Sequence, residues 1–457
     1  MWVAICKKKA VKRTKEAGTY AGFFLGAYTH ECKKRVLSGC RISILTLSWY
    51  FQRYSLMSLA FGRDHVAIPG PSVIPDRVLR AMHRSAPNIY AGPLVELTAS
   101  LLPDLKKIAR CEGHAIFYIG NGHAGWEASL CNTLSRGDRI LALITGRFSL
   151  GWVQMARSLG IEVDTIEFGE TEPADPERLQ AVLEADTARS FKAVITVQTD
   201  TSTSTSNDIP ALRNAIDAAN HPALLMVDAI ASFGCEPMQM HAWGVDVLLT
   251  ASQKGLMTPP GLAIVFIGEK VWPLHDTAQL NTPYWDWKPR ANPSVFPEHF
   301  GGTPPTHHLY GLREAIDMLL EEDMEHVWQR HTILATAVWK AVDAWGVGGE
   351  LKCHVPIEAH RSTAVTAVDT AIGDASRLRD WCEQEMGVIL GVGLQPTPTA
   401  TIVDDGFRIG HMGHLNPSML FGTLGCIDAG LKALDIQHGS GALEAATAWI
   451  AGASVHA

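Results

Sequence analysis

The sequence predicts an α/β fold in which helices cover both faces of a seven-stranded, mostly parallel sheet, followed by a smaller α+β region. Three observations carry this. Seven short apolar, β-branched runs lie between residues 115 and 267, helical patterns separate most of them, and a Pro- and Trp-rich stretch then ends the alternation.

The strands are expected over Ala115–Ile119, Arg139–Thr145, Glu162–Phe168, Ala193–Thr199, Ala223–Val227, Val245–Thr250 and Leu262–Ile267. Their near-continuous apolar character suits strands buried on both faces. Helical periodicity falls on Ala124–Leu134, Leu150–Leu159, Pro176–Leu183 and Ala211–Ala219. The span exceeds one mononucleotide-binding half, and no GxGxxG opens it. Strands joined by short crossovers put a ligand site at the carboxyl ends of the sheet. Between Thr282 and Pro305, six prolines (Pro283, Pro289, Pro293, Pro297, Pro304, Pro305) argue against any regular structure. One long helix is then expected from near His308 to Gly346, and shorter strands and helices follow it. The expected division is 1–56 as a basic extension outside the fold, 57–310 as the large domain with an N-terminal arm, and 311–457 as the small domain.

Composition narrows the function classes. With 47% apolar and 19% charged residues over 457 positions, collagen, coiled coil and wholesale disorder are excluded. No apolar run reaches the roughly 18 residues of a membrane span. Residues 1–56 hold eleven Lys/Arg against Glu16 and Glu31, a net of +9. The chain total is −8, which leaves −17 for the rest. Such an acidic body does not attract nucleic acid or an anionic membrane. The head lacks a signal-peptide layout, and its poverty in acid leaves a transit peptide open. The expectation is that Met57 is the natural start and that 1–56 is translated upstream sequence. Nine cysteines without a CxxC pair or metal-ligand spacing point to a reducing, cytoplasmic compartment and to no metal. Cys131 and Cys235 are expected as buried thiols.

Three segments carry chemistry. Ala251-Ser252-Gln253-Lys254-Gly255 places a lone lysine after an apolar strand, in a Gly/Pro-rich turn. Burial would favour its neutral, nucleophilic amine; a solvated loop lysine is the alternative. Asp228 ends the buried run Ala223–Val227, 26 residues earlier. It suits pairing with a cationic ring nitrogen, or else capping a helix or turn. Gly120-Asn121-Gly122-His123 runs from strand into helix, where small residues and free N–H groups receive a phosphate. Together they describe a pyridoxal phosphate site, each part at a strand end.

At this point the sequence resembles the class V aminotransferases, within the fold type I pyridoxal-phosphate enzymes, and most of all their alanine/serine/aspartate–glyoxylate branch. The resemblance covers about residues 65–440. It rests on IPGPSVIP (68–75), GNGHAGWE (120–127), TGRFS (145–149), VDAIASFG (227–234), SQKGLMTPPGL (252–262), TPP (303–305) and FRIGHMG (407–413). It implies that Lys254 forms the Schiff base with pyridoxal 5'-phosphate and then moves the proton, while Asp228 holds the pyridinium. Asn121, Gly122, His123 and Gln253 would bind the phosphate. Phe148 would stack on the ring, and Thr201 would set a hydroxyl near it. Thr303 would reach the phosphate of the other subunit in a homodimer with shared sites. Arg408 is the expected clamp for the substrate carboxylate, a task suited to a planar guanidinium fork; a surface arginine after Asp404-Asp405 is the alternative.

The resemblance implies amino transfer from a small amino acid of alanine, serine or aspartate type to a small oxo acid, glyoxylate or pyruvate. Ser204 departs from the usual Gly, Phe300 from a frequent Tyr, and His411 from a usually apolar residue. Pyridoxamine–pyruvate aminotransferase, which acts on unphosphorylated pyridoxal compounds, shares an RIGHMG-like ending, but the turn here is of the phosphate type. A lyase on the same fold is a further alternative. A desulfurase would need a loop cysteine, and Leu394–Gly406 contains none. His307-His308 is expected as a helix-start pair, Glu321–Glu325 as a solvated helix face, and Trp285 and Trp287 at the site mouth, at an interface, or buried.

Overall fold

A computed structural model describes residues 59–394 and 404–454. The basic head and residues 395–403 before Arg408 lie outside the described residues. Leu59–Ala457 forms one compact unit.

The chain opens with β1 (His65–Ala67), α1 (Asp76–Met82) and α2 (Pro93–Ala109). The alternation follows as β2 (His114–Gly120), α3 (Gly122–Thr133), β3 (Arg139–Ile144), α4 (Arg147–Ser158), β4 (Glu162–Glu167), α5 (Pro176–Ala185) and β5 (Phe191–Val197). A small hairpin, β6 (Thr199–Asp200) and β7 (Thr205–Ser206), precedes α6 (Ile209–Ala218), β8 (Leu224–Asp228), β9 (Val247–Ala251) and β10 (Gly261–Ile267). Asn121, Asp175 and Asp208 cap α3, α5 and α6 through their side chains, so each helix starts where its first free amides find an acceptor.

The seven expected strands form one sheet in the order β2-β10-β9-β8-β5-β3-β4. All pairs are parallel except those of β10, which runs against β2 and β9. The central β8 and β9 are buried throughout, as their continuous apolar runs require. One core, with Leu94, Leu248, Ile264 and Leu309, fills one face; a second, with Trp126, Trp152 and Leu249, fills the other. The expected strand Ala193–Thr199 divides, because β5 stops at Val197 and Thr199 already belongs to the hairpin.

Two expectations need correction. The single helix from His308 is two: α8 (Thr306–Glu322) and α9 (Met324–Gly346), preceded by the short α7 (Trp287–Ala291). The break is Asp323, at φ 73°, whose carboxylate accepts the Glu325 amide at 3.0 Å and starts a new helix. Glu321 and Glu325 are solvent-exposed, as expected, and together with Glu322 they pair with Arg77, Arg110 and Arg330. The Pro-rich stretch holds α7 and a 3-10 turn over Phe296–Phe300. Buried Arg290 organises it by donating to the carbonyls of Phe117, Tyr284 and His299.

The remaining elements are β11 (Lys352–Cys353), β12 (Val365–Asp369), α10 (Asp374–Met386), β13 (Val388–Val392), β14 (Gly406–Gly410), α11 (Pro417–Ala433) and α12 (Ala442–Ser454). They enclose a third core with Val338, Leu378, Phe407 and Leu424. Their five-stranded sheet takes in β1 as an edge, parallel to β13. No helix among the described residues is long and apolar enough to cross a membrane.

Ser204, one of the departures, has φ 64° in the turn between β6 and β7. That conformation is the reason glycine suits the position, and a side chain there costs about 1 kcal/mol or more. The hydroxyl compensates by accepting the Ala367 amide at 3.2 Å, while the Ser204 carbonyl accepts the Ser362 amide. Ser204→Ala keeps the strain and leaves that buried amide without an acceptor, so urea denaturation should show a loss of about 1–3 kcal/mol. Ser204→Gly should cost less, because the backbone relaxes.

Candidate active site

Lys254 follows β9 and is 9% exposed, which excludes the solvated-loop alternative. The segment Ile68–Ser72 clamps it. The ammonium donates to the Pro69 carbonyl, the Ser72 hydroxyl donates to the Lys254 carbonyl at 2.7 Å, and the Ser72 amide to the Gln253 carbonyl at 2.9 Å. Gly70, at φ 104°, gives the side chain room: a Cβ there would lie 2.5 Å from Nζ. Burial brings the amine down from 10.5 to about 8; Arg408 pushes the same way and Asp228 opposes.

Asp228 ends β8 at 4% exposure. Burial raises its carboxyl from 3.8 to about 7 against two donors, the Ile230 amide at 2.6 Å and the Trp126 indole N–H at 2.7 Å. The contact to Ile230 is the turn role considered as the alternative, and it coexists with a buried, shifted acid. Asp228 and Lys254 lie within each other's field.

Arg408, on β14, is 7% exposed and so is no surface arginine. Nε donates to the Val392 carbonyl and Nη1 to the Thr201 carbonyl, both at 2.7 Å. Among the described residues Nη2 has no hydrogen-bond partner. Burial lowers its pKa to about 10, opposed by Asp200. Thr201 thus serves through its backbone, and its hydroxyl makes no hydrogen bond among the described residues.

In the glycine turn the Asn121 side chain accepts the His123 amide at 3.1 Å. His123 is exposed, its ring 4.4 Å from that of Trp126, and burial of the ring lowers its pKa. Gly122 lets Ile230 pack close, since a Cβ would come within 2.0 Å of the end of the Ile230 side chain and force it to turn. Gln253 is half-buried, and its buried Oε1 has no partner. Phe148 is half-buried against the core that contains Trp126. The fold therefore gathers Lys254, Asp228, Gln253, Arg408 and Thr201, and the Asn121–His123 turn adjoins them through Ile230 and Trp126.

Thr303 stands apart. It is exposed and hydrogen-bonds to none of the others among the described residues. Phe300 is fully buried and stacks on Phe117 with centroids 5.9 Å apart, so its ring belongs to the core. Trp287 is also core, and His307 and His308 do begin α8, bonded to the Arg84 and Pro260 carbonyls.

Sequence reasoning gave no role to Asp200 or Trp126. Asp200 is fully buried and accepts the amides of Phe148, Ser149 and Ser202 at 3.0–3.1 Å. It caps α4, whose own N-cap is Gly146, and a Cβ on Gly146 would strike its carboxylate at 2.4 Å. A helix opening on glycine was the signal that its cap comes from elsewhere in the chain.

A buried amine and acid at the carboxyl ends of a mostly parallel sheet, with a buried guanidinium on a strand of the second sheet, define an α/β enzyme that handles amino and carboxylate groups. Residues 113–413 match the aminotransferase class-V family, and the chain belongs to it. It is 37% identical over 400 residues to a serine–glyoxylate aminotransferase of Methylorubrum extorquens, spanning 84% of this chain and 96% of that one. It is 34% identical over 385 residues to an L-aspartate–glyoxylate aminotransferase of Paracoccus denitrificans, spanning 83% and 94%. The crystal structure of pyridoxamine–pyruvate aminotransferase from Mesorhizobium loti superposes with a TM-score of 0.78 at 26% identity, over 87% of this chain and all of that one.

The Lys254 shift has a consequence for stability. The unfolded chain keeps this proton up to 10.5 and the folded chain only to about 8. Between those values the unfolded state binds more protons, so the contribution of Lys254 to stability rises with pH. Lys254→Met should stabilise the ligand-free protein by about 3 kcal/mol at neutral pH, and chemical denaturation should find the gain shrinking as pH climbs toward about 10.

Proposed function

We propose that the protein is a pyridoxal-5'-phosphate-dependent aminotransferase that moves an amino group from a small amino acid of serine, aspartate or alanine type to a small oxo acid, glyoxylate or pyruvate. The observation that carries this reading is the buried, deprotonation-prone Lys254 beside the raised acid Asp228, with Arg408 one strand system away. The residues present fit the cofactor. The Gln253 side chain makes no hydrogen bond among the described residues, which leaves its amide NH2 free to donate to a phosphate, and Gly122 keeps the helix start free of a side chain. Pyridoxal phosphate, when bound, supplies an aldehyde that condenses with amines and a ring that takes up electron density.

The rest falls to the chain. With its pKa lowered to about 8, Lys254 gives up its proton far more readily than a solvated lysine, so its neutral amine would be available to attack a carbonyl and afterwards to take and return the substrate Cα proton. Asp228 holds a proton at the ring nitrogen. The Asn121–His123 turn and Gln253 would hold the phosphate and Phe148 would stack on the ring, while the Thr201 carbonyl holds Arg408. Arg408 takes the carboxylate that amino and oxo acids share, so one handle orients both substrates.

Support for the substrates comes from the serine– and aspartate–glyoxylate relatives. The phosphate-type turn favours the phosphorylated cofactor over the free pyridoxal compounds implied by likeness to pyridoxamine–pyruvate aminotransferase. The homodimer is supported by the exposure of Thr303 and of the apolar side chains of Tyr284 and Val295. The free thiols of the six described cysteines suit a reducing, cytoplasmic setting.

Purified protein should be yellow, and Lys254→Ala should abolish that visible absorbance; an unchanged spectrum sinks the lysine assignment. A screen of amino acids for bleaching of the same absorbance identifies the donor, and turnover that requires an oxo acid separates transfer from lyase chemistry. Arg408→Ala should raise KM for the donor roughly a hundredfold, as for truncation of one partner of a buried charge pair.

A further inference from the structure

The two oxygens of Asp228 are held from different directions. Oδ1 accepts the Ile230 amide from its own turn; Oδ2 accepts the indole N–H of Trp126, which arrives from α3, 102 residues earlier. Trp126 is 1% exposed and its ring is confined. Trp152 stacks on it at 6.3 Å and 13°, and His123 lies tilted against it at 4.4 Å. Gly151 leaves just enough space, since a Cβ there would come within 3.1 Å of the ring. A tryptophan needed only to fill the core could turn its N–H toward any acceptor. This one is locked onto the acid, and Trp152 and Trp287 in the same core leave their own N–H groups unpartnered.

We propose that Trp126 is a positioning residue: its indole N–H fixes the plane of the Asp228 carboxylate and stabilises its charge, so that Asp228 meets the cofactor ring nitrogen as an oriented anion. The inference rests on the pyridoxal-phosphate reading above. The groups whose charge bears on Asp228 are few. Asp200, beyond β5, pushes its proton affinity up, and Lys254, beyond β9, pulls it down. On α3 itself, His123 sits against the indole, with its proton affinity lowered by burial. Tyr118 on β2 shares the core, is held neutral by burial, and donates to the Trp285 carbonyl. None of these replaces the donor that Trp126 supplies. A carboxylate has about four acceptor sites, and two protein donors serve this one. Removing one leaves a buried anion with half its support, and Asp228 then holds its proton to higher pH.

The test uses Trp126→Phe, which keeps a ring and removes the N–H, and Trp126→Leu as a second donor-less variant. Each is compared with the parent and repeated in an Asp228→Asn background. In the ligand-free protein, folded Asp228 keeps its proton to about 7 against 3.8 unfolded, so stability falls as pH rises through that window. Losing the indole donor extends the window upward. The ratio of unfolding constants, variant over parent, should be flat below about pH 6 and widen tenfold or more by about pH 9. In the Asp228→Asn background it should stay flat. A purely structural indole gives a pH-independent offset in both backgrounds, and that result overturns the proposal. With pyridoxal phosphate added, both variants should bind at least tenfold more weakly by titration of the visible absorbance; parent-like affinity also overturns it. If the parent itself never turns yellow, the failure belongs to the cofactor reading, and the ligand-free stability measurement still judges the pairing.

Discussion

The structure depends on keeping a lysine ammonium out of water. Desolvation pulls Lys254 down to about 8, pushes Asp228 up to about 7 and lowers Arg408 to about 10. All three shifts move toward the uncharged form, and that direction marks burial as the dominant cause over pairing. Mutual attraction in a well-paired cluster would have driven the acid down and the amine up. The site is thus a place where folding works against stability, and the surrounding residues limit the loss. Ser72 and Pro69 hold the lysine, Ile230 and Trp126 the acid, and the Val392 and Thr201 carbonyls the guanidinium.

Those supports come from both sheets, which is why the site lies where the two meet. β1 belongs to the five-stranded sheet, yet the residues immediately after it lie on the lysine turn of the seven-stranded one. The close approach has a steric signature. A Cβ on Gly410 would strike the Ile68 carbonyl at 2.2 Å, and one on Gly391 would meet Pro69 at 2.7 Å. Glu236 adds a polar tie, taking hydroxyls from Thr199 and Ser206 on one side and from Ser362 on the other. Movement between the two cores would therefore be felt directly at Lys254 and Arg408.

The parts of this arrangement legible in the sequence were those governed by short-range rules. Six of the seven strands of the large sheet could be read because each is a compact apolar run between turn signals, and the edge strand β4, which carries Glu162, Asp164 and Glu167, could be read from its alternation with the helices. Lys254 and Asp228 could be singled out because charged side chains next to apolar strands stand out, whereas Arg408 came only from the resemblance of FRIGHMG to the family. What was missed depends on distant partners. Asp200 caps a helix that begins 53 residues before it, Trp126 reaches an acid 102 residues on, and Pro69 meets a lysine 185 residues away. No local pattern encodes such pairs. The break at Asp323 was the opposite case: a locally encoded N-cap was overridden by the unbroken apolar periodicity on either side.

Arg408 carries the argument from fold to chemistry one step further. A buried guanidinium is usually matched by a carboxylate, but here two backbone carbonyls hold it, and the nearest acid to affect it, Asp200, is engaged with the start of α4. Carbonyl dipoles orient the fork without neutralising it, which leaves a desolvated positive charge inside the site. An incoming carboxylate relieves that penalty, while an uncharged analogue of the same shape does not. Under the proposed reaction, the donor amino acid and the acceptor oxo acid differ at Cα but share the carboxylate. One arginine with no carboxylate hydrogen-bonded to it among the described residues would then select both and hold each against the same amine.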